Sequence, residues 1–174
     1  MNSDASALGE ATSSILIVVG EHTRSFNETN VNIMKEILKL FISICQLHES
    51  SSAVLPDCCV SSVCDVATSK IADKKLSSLC HESLTQLCTV SPPQTVMERL
   101  AVNVQKARSP LSHEESLRWL AGFIDDFGLM VIGGSVANLL PWLMKVRQIF
   151  LRYSAWLTLH VCTGNGVVEH QGGP

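Results

Sequence analysis

The sequence predicts an all-α protein, a solenoid of about four stacked helical hairpins. Three observations predict it. Apolar residues recur every three or four positions along most of the chain, the period of a helix face rather than of a strand. Helices that follow a short polar loop open near Val31, Lys74, Glu114 and Val146. Those intervals lie close to the forty-odd residues of a HEAT-type hairpin repeat. Finally, 46% of the residues are hydrophobic, only 17% are charged, and the mean hydropathy is +0.24. Stacked helices that each bury two faces would account for so apolar a composition, and so would a piece of a larger assembly.

The chain has 174 residues, enough for one domain with a sizeable core. Residues 1–10 are polar and are expected to fray. The run Ile15-Leu16-Ile17-Val18-Val19 before Gly20 reads as the last turns of a buried helix, with a strand as the alternative. A polar loop, Glu21 to Thr29, leads to a helix over 30–48 with Ile33, Ile37, Leu40, Phe41 and Ile44 on one broad face. Ser50-Ser51-Ser52 ends it. The next helix, 54–71, carries Pro56 in its first turn, where the missing N–H does no harm.

The central stretch, Ala72 to Leu129, reads as three amphipathic helices. Asp73 stands ready to accept hydrogen bonds from the free N–H groups of a helix starting at Lys74. Leu76, Leu79, Cys80, Leu84 and Leu87 mark its apolar face, and Ser91-Pro92-Pro93 stops it. Val96, Leu100 and Val104 mark the second helix. Ser112-His113-Glu114-Glu115 has the spacing of a capping box and predicts a start near 113. Leu117, Leu120, Ala121 and Ile124 form the third apolar face, and Gly128 supplies its C-terminal cap. A further pair is expected beyond, and 163–174 reads as a disordered tail behind an array spanning 11–162. The expected hairpins are 11–19 with 31–48, 54–71 with 74–90, 94–107 with 113–127, and 133–143 with 145–161. Loops inside successive hairpins of a solenoid line up along one edge.

The net charge of −3 and the pI near 6.0 argue against a nucleic-acid binder, which wants a basic domain. The N-terminal Met-Asn-Ser-Asp is acidic where a secretory signal is basic. The seven cysteines therefore read as reduced, core-filling thiols of a cytoplasmic protein. Cys58, Cys59 and Cys64 lack the paired spacing of a zinc site, and the histidines are scattered, so no metal or cofactor is expected.

In this order and spacing, several motifs resemble the TOG domain, the tubulin-binding HEAT array of the TOG microtubule polymerase family. They are Asn30-Val31, Lys70-Ile71-Ala72-Asp73-Lys74-Lys75, Glu98-Arg99-Leu100, Arg108-Ser109-Pro110, Leu117-Arg118-Trp119-Leu120 and Asp125-Asp126-Phe127-Gly128. The resemblance covers roughly 12–129. It implies a tubulin-binding, non-enzymatic module that contributes to microtubule growth and spindle organisation. Its tubulin-facing residues would be Asn30, Val31, Lys74, Lys75, Arg108 and Arg147. A full domain of that family has one more repeat at its N-terminus, whose loop carries a tryptophan. The family's third loop often has an asparagine where this chain has Ser109. The alternative function is a HEAT-like scaffold for a partner other than tubulin.

Other readings are weaker. Asp126-Phe127-Gly128 spells a kinase magnesium triplet, but the glycine-rich loop and catalytic loop are absent. Asp126 is expected at the surface and Phe127 in the core. Glu114-Glu115 and Asp125-Asp126 are adjacent carboxylates, which diverge on a helix. Phe127 to Met144 is an uncharged run of 18 residues, near the lower limit for a membrane span, but Gly133, Gly134, Ser135, Asn138 and Pro141 dilute it.

Overall fold

The computed structural model describes residues 2–25, 28–51 and 55–128, with positions 141, 143 and 144. Within those residues every regular element is a helix: α1 (Asn2–Ser25), α2 (Val31–Ser51), α3 (Asp57–Lys70), α4 (Ser77–Val90), α5 (Pro93–Lys106) and α6 (Pro110–Phe127). Most of the expected fourth pair, the tail and most of the uncharged run lie outside the described residues; positions 141, 143 and 144 are helical. Among the described residues no helix is long and apolar enough to cross a membrane.

The helices pack in two rows. One runs α1, α3, α5, each member on the next; in the other α2 packs extensively on α4, and α6 lies lightly on α3, α4 and α5. A single apolar cluster threads all six, with Leu16, Phe41, Val63, Leu84, Val96 and Trp119 among its buried members.

Several boundaries differ from expectation. Helix α1 begins at Asn2, not after residue 10. The helix formers Ala5, Ala7, Leu8, Glu10 and Ala11 outweigh the polar residues between them. It also runs through Gly20 to Ser25. That glycine is no cap: it is the point where α1 crosses α3, and a Cβ there would lie 2.7 Å from the Cβ of Ser62. The apolar run is helical but only Leu16 is fully buried; Val18 is 64% exposed. Thr12, Leu16, Gly20 and Thr23 form the buried stripe instead, with Thr12 Oγ1 2.8 Å from His48 Nε2 on α2. In α2 the buried face turns to Met34, Leu38, Phe41, Ile44 and Cys45, leaving Ile33 and Leu40 exposed. Pro56 precedes α3 rather than entering it.

Helix α6 starts at Pro110, so Ser112 lies inside its first turn and the capping box does not form. Its buried face is rotated toward the aromatics. Trp119 and Phe123 are buried while Ala121 is exposed. The Trp119 indole N–H donates to Thr85 Oγ1 on α4 at 3.0 Å, and the Trp119 and Phe123 ring centroids are 5.4 Å apart. Phe127, expected in the core, is exposed and stacks on Phe123. Gly128 does end the helix, with φ at 80° and its N–H on the Ile124 carbonyl.

Among the described residues, the thiols of Cys45, Cys59, Cys64 and Cys80 are buried, Cys88 is half-buried and Cys58 is exposed, while Cys162 lies outside them. Burial pushes the thiols of Cys45, Cys64 and Cys80 up to about 12 each, so they remain protonated and act as small apolar groups. A raised folded-state pKa contributes no penalty below the unfolded value of 9 and costs stability above it, as the unfolded chain ionises first. Urea unfolding is therefore expected to weaken above pH 9, by roughly 1 kcal/mol per pH unit for each such thiol. Cys45→Ala should flatten that slope by about one thiol's share. A slope unchanged by the substitution would place Cys45 in solvent.

Candidate binding edge

Three loop segments follow α1, α3 and α5, the helices of one row, and contacts bring neighbouring segments together. The first is residues 28–30 ahead of α2, the second the turn 71–76, the third Ala107-Arg108-Ser109. Together they form the candidate edge. Lys70, at the end of α3, donates its Nζ to the Glu28 carbonyl in the first loop at 2.6 Å. Ala72, Lys74 and Ser77 share a groove of about 230 Å³ with Leu111, Glu115 and Arg118 of α6. Thr68 and Ser69 of α3 share one of about 420 Å³ with Lys106, Arg108, Ser109 and Ser112.

The turn before α4 explains the position of its two lysines. Asp73 Oδ1 accepts the Lys75 N–H at 2.8 Å, and the Asp73 carbonyl accepts from Leu76 and Ser77. The aspartate thus closes a turn, and α4 opens at Ser77 rather than at Lys74. Lys74 and Lys75 sit on the turn itself with both side chains exposed. Arg108 is likewise exposed, in the loop between α5 and α6.

The other predicted positions have internal tasks or lie elsewhere. The Asn30 side chain caps α2, its Oδ1 accepting from Asn32 N–H at 3.0 Å and more weakly from Ile33. Val31 packs against the core. Arg147 lies outside the described residues. The acidic groups of the edge are also engaged: Glu28 Oε1 accepts the Asn30 N–H at 2.7 Å, as Asp73 does that of Lys75.

Sequence reasoning missed the second rank of this edge. Arg118 bridges the adjacent carboxylates, reaching Glu114 Oε1 and Glu115 Oε1 at 3.0 Å each. Glu115, nearly buried, also accepts from Ser77 Oγ at 3.0 Å and ties α6 to the start of α4. His81 Nε2 lies 3.5 Å from Glu115 Oε2 without hydrogen-bond geometry, and burial holds the imidazole below its ordinary pKa. The Glu114–Arg118 spacing of four was a readable signal; the reach from Ser77 to Glu115 was not. Deeper in the rows, Asp65 takes a bidentate pair from Arg99, 2.7 Å to each oxygen, and a third bond from Asn103 at 2.8 Å. That knot fastens α3 to α5 and fixes the floor of the larger groove.

Chemically the edge suits docking. Among the described residues no three metal-ligating side chains converge. What it offers is three exposed cations, Lys74, Lys75 and Arg108, on short loops braced from behind. Compared with known protein families, curated proteins and solved structures, the chain matches none of them.

Proposed function

We propose that the helices are successive hairpins of a HEAT-type array and that the array binds tubulin through its loop edge, serving microtubule growth. One observation carries the reading: contacts bring the loop segments after α1, α3 and α5 together, and their exposed charges, Lys74, Lys75 and Arg108, are cationic. Rigid cations on one side would steer and orient an acidic protein surface. The resemblance of the motifs at 30–31, 70–75, 108–110 and 117–120 to a TOG domain supports tubulin as that surface. Asn30 and Val31 then serve the partner indirectly, by holding α2 and its loop in place. The reading assigns no catalytic residue.

The test is a tubulin titration by co-sedimentation or light scattering. Lys74→Ala with Lys75→Ala is expected to weaken binding by about 1 kcal/mol or less per residue at low salt, with the difference fading as salt rises. The fold should be intact, because both side chains are exposed on the turn and Asp73 closes it through backbone N–H groups. Equal binding by mutant and wild type at every salt concentration would show that this edge is not the binding face.

A further inference from the structure

We propose that Ser109 is a phosphorylation site for a proline-directed serine/threonine kinase, and that its phosphate caps α6 while offsetting the neighbouring cations Lys106 and Arg108. The chain contains two Ser-Pro dipeptides, Ser91-Pro92 and Ser109-Pro110, and the fold separates them. Ser91 is buried, and its hydroxyl donates to the Leu87 carbonyl. Ser109 is exposed in extended backbone, φ −79° and ψ 123°, and its side chain makes no capping bond to the helix it precedes. A kinase that reads an extended Ser-Pro segment can therefore reach Ser109 in the folded protein and not Ser91.

The chemistry is a phosphoryl transfer from ATP. The Ser109 Oγ attacks the γ-phosphorus, an Oγ–P bond forms and the bridge to the β-phosphate breaks. ADP leaves with the bonding electron pair, and the hydroxyl proton passes to the kinase's catalytic carboxylate.

Two features of the site fix the outcome. The new dianion sits at the N-cap of an 18-residue helix, against the positive end of its dipole and a first turn that lacks a side-chain cap. It also shares the larger groove with Lys106 and Arg108, both exposed, so two cations face a charge of about −1.5 to −2. Modification should make α6 firmer and cancel most or all of the positive charge of Lys106 and Arg108. Its effect on a partner rests on the reading of this edge as the face for acidic tubulin.

The experiment treats the full chain with ATP and a proline-directed kinase and locates phosphate by fragment mass spectrometry. Phosphate is expected on Ser109 and not on Ser91. Ser109→Ala and Pro110→Ala should each abolish it, the second with the acceptor hydroxyl still present. The thermal midpoint should rise by about 2–4 °C, and affinity for tubulin should fall roughly tenfold at low salt. Failure to modify Ser109, or a midpoint that falls on modification, overturns the site or its cap. If phosphorylation leaves tubulin binding unchanged while Lys74→Ala with Lys75→Ala weakens it, the regulatory half is overturned and the edge stands. If neither change alters binding, the edge reading has failed and takes the regulatory half with it; the site and cap are still decided by mass spectrometry and the midpoint.

Discussion

Phe41→Ala is expected to destabilise the protein by about 3–5 kcal/mol, the largest effect of any single truncation considered. Phe41 is fully buried on α2, the helix with the most extensive packing on α4. Removing the ring costs its transfer free energy and leaves a cavity that two packed rows cannot close. The apolar cluster is continuous from α1 to α6, so the loss should be shared by all six helices. Urea unfolding followed by helical circular dichroism should show one transition, moved to lower denaturant with its slope unchanged. A cost below about 1 kcal/mol would mean that Phe41 is not part of a close-packed core.

Gly20→Ala should come out with the opposite sign from an ordinary helix substitution. Alanine in place of glycine inside a helix normally adds up to about 1 kcal/mol of stability. Gly122→Ala in α6 should behave so, since nothing lies within 4 Å of its added methyl. At Gly20 the methyl would meet Ser62 Cβ at 2.7 Å, with the Ser62 Cα 3.5 Å away. A Cβ cannot swing aside, so α1 must lift from α3. Overpacking of this kind costs about 1–3 kcal/mol, which exceeds the gain in helix propensity. The double variant Gly20→Ala with Ser62→Gly leaves a single Cβ at the crossing, now on α1, and should recover much of the loss. If Gly20→Ala stabilises as Gly122→Ala does, the two helices do not approach as described.

These two residues also mark what the sequence could and could not say. Period located the centres of α2, α4, α5 and α6, because burying an apolar stripe is a local demand, whereas the short apolar run in α1 left a strand open. It did not fix which stripe wins. In α2 the expected Phe41 and Ile44 are buried, yet Met34 and Leu38 take the places expected of Ile33 and Leu40, a choice made by the fit to α4. In α6 the large aromatics Trp119 and Phe123 set the rotation and displaced Ala121 to solvent. Gly20 looked like a terminator because close approach of two backbones leaves no local signature. The candidate edge was legible in part. Lys74, Lys75 and Arg108 follow from loop positions, whereas the Lys70 bond to Glu28, 42 positions away, exists only once the pairs are stacked. Asn30 showed the reverse: a residue expected to face a partner is occupied in capping its own helix.

The pairing order of the rows has a kinetic meaning. Each helix from α3 to α5 rests mainly on the helix two places before it, α3 on α1, α4 on α2 and α5 on α3. No helix among them must wait for a distant C-terminal segment to find its seat. Such contacts join segments one helix pair apart, as in Cys64 Sγ with the Val96 carbonyl, 32 positions on, and Cys59 Sγ with the Ser13 carbonyl, 46 positions back, so each loop to be closed is of similar, moderate length. During synthesis, each of these helices as it emerges meets a surface already made, so structure can grow in the direction of translation, with the loop edge assembled one turn at a time.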